Sequence, residues 1–513
     1  MSTDPPLVII SGAGPTGLAL AGELSGSGIR CHVVEKRRRP SPYSRAFGLM
    51  PRTMELLDMR DQMEPCLDAG LPCTRPPLGD LRGHLEYRRL DTPFPYILII
   101  PQSRTEELLE KAALEEGAQI ERGAEVTAVH QDRDAVRVEI TGSDGTRRTR
   151  TADYLVGCDG VRSTVRQSVG IPFPGRDYHQ SLMIVDAPLA RPPDPEIYAR
   201  ITRRGMVAAY PFGDGTYRLI ILDRQKMTVP VEQPLTLADA SDSIRGILGI
   251  DLAPYDPLWL SRFRSSQRHA TRYRRGRVLL AGDAAHTHIP SGGQGLQVGI
   301  QDAMNLGWKL AAELHGWAPD GLLDSYEQER LPIAAATLRK TDMNFRFEIS
   351  DSPPARLARW LIMKGGRFGP LQTPVLKEFA NFTLRYPPPR QDRHNSLVGT
   401  RVPDATLHGR EGSGRRLFEL FRQRRFVLLD QSPGGRAADL AADGWGERIH
   451  VTRSHAQGRV RLPEVLLARP DGYVAWAGDA DDTGALRGAL TRWCGDARPG
   501  AGAVRPRAGS TAR

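Results

Sequence analysis

The sequence predicts an α/β fold: a parallel sheet wound with helices, an inserted and mostly antiparallel sheet, and a smaller α/β unit towards the C-terminal end. Two changes of pattern carry this reading. The opening segment runs Leu7-Val8-Ile9-Ile10, a glycine turn, an apolar helix from Leu18 to Leu24 ended by Gly26 and Gly28, then His32-Val33-Val34-Glu35. Short continuous apolar strands separated by a helix are typical of parallel strands buried on both faces. From about Tyr178 to Arg268 the pattern becomes alternating segments such as Met206 to Tyr210 and Tyr217 to Ile221, between Gly, Pro and Asp turns, which predicts antiparallel pairing. Arg277-Val278-Leu279-Leu280-Ala281 then returns to the buried-strand pattern, so the first sheet resumes after the insertion.

The remaining elements follow in order. Thr105 to Glu116 has helical amphipathic spacing, and Val126 to Ile140 alternates as paired strands, with Ser143-Asp144-Gly145 as a hairpin turn. Helices are expected from about Ala303 to Arg346 and a linker from Pro387-Pro388-Pro389 to Asn395. Strands near Phe426 to Leu429 and Glu464 to Leu467 mark the last unit, and the Gly, Ala, Pro and Arg-rich end is expected to be disordered. The predicted domains are a nucleotide-binding domain with a helical extension over 1–175 and 269–390, a middle substrate domain over 176–268, a C-terminal domain over 396–498 and a tail over 499–513.

Composition excludes several classes. At roughly 150 residues per domain, 513 residues suggest about three domains. The chain is 40% hydrophobic and 25% charged, too apolar for intrinsic disorder. No uncharged apolar run approaches the ~20 residues of a membrane span. Its 70 Lys and Arg against 60 Asp and Glu leave a net charge of +10, spread along the chain. That spread argues against a nucleic-acid partner and suits an anionic cofactor. Five cysteines without a CxxC pair argue against a disulfide framework and a zinc ribbon. The N-terminus lacks the basic region of a signal peptide, so a cytoplasmic location is expected.

Gly12-Ala13-Gly14-Pro15-Thr16-Gly17 fits GxGxxG between a strand and a helix, the setting of a Rossmann-like dinucleotide site. Gly12 permits the tight turn, Gly14 lets the backbone approach a pyrophosphate, and Gly17 lets the helix pack on the strand. The helix N-terminus offers N–H groups to the phosphates. Glu35, followed by Lys36, ends the second strand and can accept hydrogen bonds from ribose hydroxyls. This motif does not separate NAD from FAD. Two further strand ends do: Asp159-Gly160 after Tyr154 to Gly157, and Gly282-Asp283 after Val278 to Ala281. Three such signals on one sheet suit an extended ligand. Asp283 would take a ribityl or ribose hydroxyl, and the glycine-rich Pro290 to Leu296 loop the far ring, where helix N–H groups can stabilise a reduced flavin.

GAGPTG, VGCDGVRSTVR and RVLLAGDAAHTHIPSGGQGLQVGIQDAMNLGWKLA together resemble the class A flavoprotein aromatic monooxygenases. Within these the chain is most similar to the tailoring hydroxylases of aromatic polyketides, and it is similar to rifampicin monooxygenase. The resemblance extends to Ser44-Arg45-Ala46, Arg52-Thr53-Met54-Glu55, Pro101-Gln102 and the Ala468 to Trp476 segment. It implies that Gly12, Gly14, Gly17 and Glu35 hold the adenosine half of FAD. Arg45 and Gln102 would contact its centre, and Asp283 would lie near the ribityl-pyrophosphate. Pro290, Gly293, Gly295, Leu296 and Gln297 would cradle the isoalloxazine, while Asp159-Gly160 would serve FAD and NAD(P)H. It further implies a thioredoxin-like C-terminal domain, here without a CxxC pair, and a monomer or homodimer. One departure is Gln297, where the family commonly has Asn.

The implied reaction is NADPH- or NADH-driven hydroxylation of a polycyclic aromatic phenol by O2 through a flavin C4a-hydroperoxide. Residues Met206 to Phe212 and Trp259 to Phe263 are candidate substrate-lining segments whose inward face depends on register. Alternatives are Baeyer–Villiger insertion into a polycyclic ketone and a non-catalytic flavin-dependent protein that binds an aromatic ligand. No WxWxIP segment supports a halogenase. Arg52 either orients the ring or a substrate oxygen, or is a solvated helix arginine. His286 and His288, two apart and without a third ligand, read as packing or loop-bonding residues rather than a metal site. Cys158 reads as a small buried apolar residue rather than a nucleophile. The Arg203-Arg204 and Arg274-Arg275 pairs read as solvated faces.

Overall fold

The computed structural model describes residues 6–77, 84–195, 197–289, 291–365, 369–409 and 414–498. Pro290 and the expected tail 499–513 lie outside the described residues. The chain forms two compact units, one from residues up to 311 with 324–384, the other from 312–323 with 385 onward. Residues 312–323 therefore group with the second unit, although the sequence reading puts them in the first domain. A Cβ on Gly495 would lie 2.3 Å from the Trp317 carbonyl oxygen, and Arg448 stacks over the Trp317 ring at 5.7 Å.

In the first unit, β1 (Leu7–Ser11) turns through glycines into α1 (Pro15–Ser25) and returns as β2 (Arg30–Glu35). Pro15 opens α1, where its missing N–H costs the helix nothing. A short strand β3 (Gly48–Leu49) leads into α2 (Pro51–Asp58), and α3 (Gln102–Glu115) leads into β4 (Gln119–Arg122). A three-stranded antiparallel meander follows, Ala124–Gln131, Val136–Gly142 and Arg147–Ala152. The predicted turn at Ser143 to Gly145 joins its last two strands. Then come β5 (Tyr154–Gly157) and α4 (Thr164–Ser168).

The second sheet contains β6 (Gly175–Pro188), β7 (Gly205–Pro211), β8 (Thr216–Asp223) and β9 (Trp259–His269), with α5 (Leu237–Leu248) between β8 and β9. The chain returns through β10 (Val278–Leu280) and β11 (His286–Thr287) to α6 (Gln294–Leu314) and α7 (Ser325–Ile349). The first sheet has the order Arg274–Arg275, β10, β5, β1, β2, β4. All its pairs are parallel except the two-residue edge. Its strands β1, β5 and β10 are wholly or almost wholly buried and β-branched or Leu-rich, as a doubly covered sheet requires.

The second sheet is antiparallel throughout, in the order Tyr198–Ile201, β7, β8, β6, β9, β11. Its last strand comes from beyond residue 268, because His269 pairs with His286 and Arg268 with Thr287. The register left open by the sequence is now determined. Met183, Val185, Val207, Ala209 and Leu219 pack on Ile244 and Ile247 of α5. The opposite alternation, Leu182, Met206, Leu222 and Phe263, meets Ile289 and Phe345. Burying one face against a helix and the other beside the glycine loop makes a one-residue slip costly.

The second unit contains a sheet in the order Ile449–Arg453, Phe426–Asp430, Val465–Ala468, Val474–Gly478. Its first pair is parallel and the other two are antiparallel. Helices Arg436–Trp445 and Thr483–Cys494 pack on it.

Candidate active site

Three strand ends meet at one edge of the first sheet. Gly12 has φ +105°, and a Cβ there would lie 2.5 Å from the Cys158 carbonyl oxygen, so the turn after β1 abuts the end of β5. A Cβ on Gly17 would lie 2.0 Å from the Gly12 carbonyl oxygen, which is the close helix–strand packing expected of that glycine. A Cβ on Gly14 would meet nothing within 4 Å, so space is open beside the backbone where a pyrophosphate would approach. Thr16 ties in the third end: its Oγ1 would lie 2.5 Å from a Cβ on Gly282 and 2.3 Å from one on Gly299. The structure thus brings Gly12, Gly14, Pro15, Thr16 and Gly17 together with Asp159, Asp283 and α6.

Glu35 is buried at the rim. One carboxylate oxygen accepts from the Ala13 N–H at 2.8 Å, the other from the N–H and Nε of Arg37, each at 2.9 Å. Burial pushes this carboxyl up, but the bonds from Arg37 and Ala13 more than offset it and hold the group below the usual range. An ionised carboxylate has about four lone-pair sites, so capacity remains for a ribose hydroxyl. Lys36 is exposed, 3.9 Å from Glu125. Asp159 accepts from the Val165 N–H at 3.1 Å through Oδ2. Its Oδ1 is buried and has no hydrogen-bond partner among the described residues. Burial pushes the Asp159 carboxyl up, against the bonds from Ser163 and Val165.

Asp283 is exposed between buried Gly282 and Ala284. Beneath it lies a fully buried network that sequence reasoning did not assemble. Asp302 accepts from the Gly282 N–H at 3.1 Å, from His286 Nε2 at 2.6 Å and from Arg330 Nε at 2.7 Å. Burial raises the Asp302 carboxyl, but Arg330 and His286 together hold it below its ordinary value. His286 therefore bonds the loop, and no group of metal-binding side chains occurs among the described residues. Burial drives the Cys158 thiol far above its ordinary value, so it is no thiolate nucleophile.

The glycine loop before α6 has φ +78° at Gly292 and +65° at Gly293. The first turn of α6, with Gly295, Leu296 and Gln297, carries N–H groups without intrahelical partners. Gln297 is fully buried; its amide donates to the Gly48 carbonyl at 2.8 Å and accepts from the Met50 N–H at 3.2 Å. The longer side chain thus fastens the β3–α2 junction to α6. Gln102 fastens the preceding loop, accepting from the Ala46 N–H at 2.9 Å and donating to Glu106 at 2.7 Å. The Arg45 side chain is exposed.

A residue missed in the sequence holds that loop from the second sheet. Arg218 is fully buried, paired with Asp186, and donates to the carbonyls of Ser44 at 2.6 Å and Arg45 at 3.2 Å. Its signal was a charged residue inside the apolar Tyr217 to Ile221 strand. Arg52 is not the solvated helix arginine that the sequence allowed: it is fully buried and pairs with Glu55 at 3.0 Å. The arginine pairs also have partners, Arg204 with Asp223 and Arg274 with Asp324.

The chain matches the FAD binding domain family over residues 6–341 and the aromatic-ring hydroxylase C-terminal family over residues 395–497. This chain belongs to the FAD-dependent aromatic-ring monooxygenase family. It is 40% identical to the 12-dehydrotetracycline 5-monooxygenase/anhydrotetracycline 6-monooxygenase of Streptomyces rimosus, over 95% of this chain and 98% of that one. It is 38% identical to the rifampicin monooxygenase of Streptomyces venezuelae, over 96% and 99%. Among solved structures, the OxyS anhydrotetracycline hydroxylase from Streptomyces rimosus superposes with a TM-score of 0.84 at 39% identity, covering 96% of this chain and 99% of that chain. The Diels-Alderase PyrE3 of pyrroindomycin biosynthesis superposes at 0.81 with 33% identity, covering 96% and 100%. The residues at the three strand ends fit the family's cofactor: an open approach at Gly14, a buried acceptor on Asp159 without a partner among the described residues, and an exposed carboxylate on Asp283.

Proposed function

We propose that this flavoprotein is an NAD(P)H-consuming monooxygenase that hydroxylates a polycyclic aromatic phenol with O2. The observation that supports it most is the convergence of Thr16, Gly282 and Gly299, from segments up to 283 residues apart, which suits one extended cofactor. Bound FAD would supply the electron transfer from the nicotinamide and the activation of O2. The chain's own residues bind, orient and exclude water. Gly14 and the first turn of α1 would receive the pyrophosphate, Glu35 the adenosine ribose, and Asp159 and Asp283 the hydroxyls between. Arg45 and Lys36, both exposed, would add positive charge at the rim. The amides of the α6 first turn, from Gly295 to Gln297, would face the ring.

On the substrate side, Phe47 stacks on Tyr210 with centroids 4.3 Å apart. Tyr210 alternates with Met206 and so belongs to the sheet face beside the glycine loop. An aromatic wall of this kind suits a flat apolar substrate and keeps water out. In this reading the first sheet is a Rossmann-like FAD domain, the second sheet an inserted substrate domain, and the C-terminal unit a thioredoxin-like domain. That last unit has no thiol chemistry available, since burial pushes the Cys494 thiol far up. No helix among the described residues is long and apolar enough to cross a membrane.

Substrate-dependent NADPH oxidation over a panel of polycyclic phenols, with product masses, tests this. Gain of one oxygen without ring cleavage supports hydroxylation, and a lactone would instead support Baeyer–Villiger insertion. The similarity to PyrE3 favours a second reading, in which the flavoprotein binds its ligand without redox turnover. Bound flavin with no NAD(P)H consumption on any phenol would support that reading.

A further inference from the structure

His288 lies between β11 and the glycine loop, where the sequence suggested only packing or loop bonding. Its Nδ1 is 3.0 Å from the Ile289 carbonyl oxygen. A carbonyl can only accept, so Nδ1 carries the proton and the neutral ring keeps its lone pair on Nε2. That Nε2 is buried and has no hydrogen-bond partner among the described residues. The same ring edge faces the first turn of α6: a Cβ on Gly295 would lie 3.7 Å from both Cε1 and Nε2. Burial lowers the imidazole's pKa, with the Ile289 bond and Asp283 acting in the opposite direction, so the ring is neutral near pH 7. A neutral acceptor is thus presented at the cofactor cradle, beside helix amides that are all donors. Pro290, next in sequence but one, has no N–H to offer it.

We infer that His288 Nε2 accepts a hydrogen bond from a donor on the flavin half of FAD, a ribityl hydroxyl or the ring N–H. This rests on the reading that the cradle holds FAD. It gives the cradle a complementary pair, amide donors for the flavin's acceptors and an imidazole acceptor for one of its donors. It also separates His288 from His286, whose Nε2 is already committed to Asp302.

The test is FAD affinity, measured by quenching of flavin fluorescence on titrating apoprotein, together with the apoprotein melting temperature. His288→Leu, which removes the acceptor, is expected to weaken FAD binding by about tenfold, the scale of one buried hydrogen bond. Its apoprotein should melt as the wild type does. His288→Gln, which can place an amide oxygen near the Nε2 position, should recover most of the affinity. Wild-type affinity in His288→Leu would overturn the inference and leave the FAD reading standing. Equal loss in Leu and Gln variants with a lowered melting temperature would also overturn it, in favour of packing. Failure of the wild-type protein to bind FAD would remove the reading and the inference together.

Discussion

The two sides of the cofactor cradle are built differently. On the β1–α1 side the contacts are backbone and glycine: Gly12 against Cys158, Gly17 against Gly12, open space at Gly14. On the β3–α2 side the backbone is held by side chains from far along the chain. Gln297 reaches Met50 across 247 positions, Arg218 reaches Ser44 across 174, and Gln102 reaches Ala46 across 56. The first construction has no room for a side chain at Gly12 or Gly17 and leaves Gly14 open. The second depends on particular side chains that could be exchanged only with their partners. The first side should therefore fail by losing ligand or by steric conflict, the second by losing stability.

The largest expected effect is on the second side. Arg218→Leu strands Asp186 in a buried setting and frees two loop carbonyls, and removing one partner of a buried pair costs about 3–5 kcal/mol. Denaturant unfolding should show that loss, with weaker FAD binding following from the loosened Ser44 to Ala46 loop. Unchanged stability would mean that the loop does not depend on this grip.

Asp283→Ala probes the first side. The carboxylate is exposed, so unfolding stability should change by no more than about 0.5 kcal/mol. FAD affinity should fall about tenfold, as for a lost charge-assisted hydrogen bond. A flavin titration that matches the wild type would remove Asp283 from the site.

The legibility of the sequence followed the same division. GxGxxG, Glu35, Asp159-Gly160 and Gly282-Asp283 announce themselves because each is a short motif at a strand end whose neighbours in sequence are its neighbours in space. The α/β class and the antiparallel insertion were equally readable, from periods set by local geometry. Arg218, the Asp302–His286–Arg330 network and the true setting of Arg52 were not, because pairing at these separations is decided by tertiary packing. The inward face of β7 needed the register, and β11 joins the second sheet through just two residue pairs, Arg268 with Thr287 and His269 with His286.

A smaller effect sharpens the comparison at the glycine loop. Glu348 on α7 accepts from Ser291 Oγ at 2.8 Å, and burial raises its carboxyl to about 7, the Ser291 bond opposing. The unfolded chain loses this proton near 4.5, while the folded protein keeps it to about 7. The unfolded state then binds fewer protons across that window, so stability falls as pH rises through it. Glu348→Gln should flatten that slope, measured as melting temperature between pH 5 and pH 7.5 as a rough bracket of the window. An identical slope in the variant would place the carboxyl's titration elsewhere.

The decisive measurement is an FAD titration of wild-type and Gly14→Val apoproteins beside their melting curves. A Cβ at Gly14 would meet nothing within 4 Å, so the variant should fold and melt like the wild type. Saturable flavin uptake by the wild type, with at least about a hundredfold weaker uptake by Gly14→Val, is the predicted result. Full flavin content in the variant, or a wild-type protein that stays colourless in excess FAD, would contradict the account.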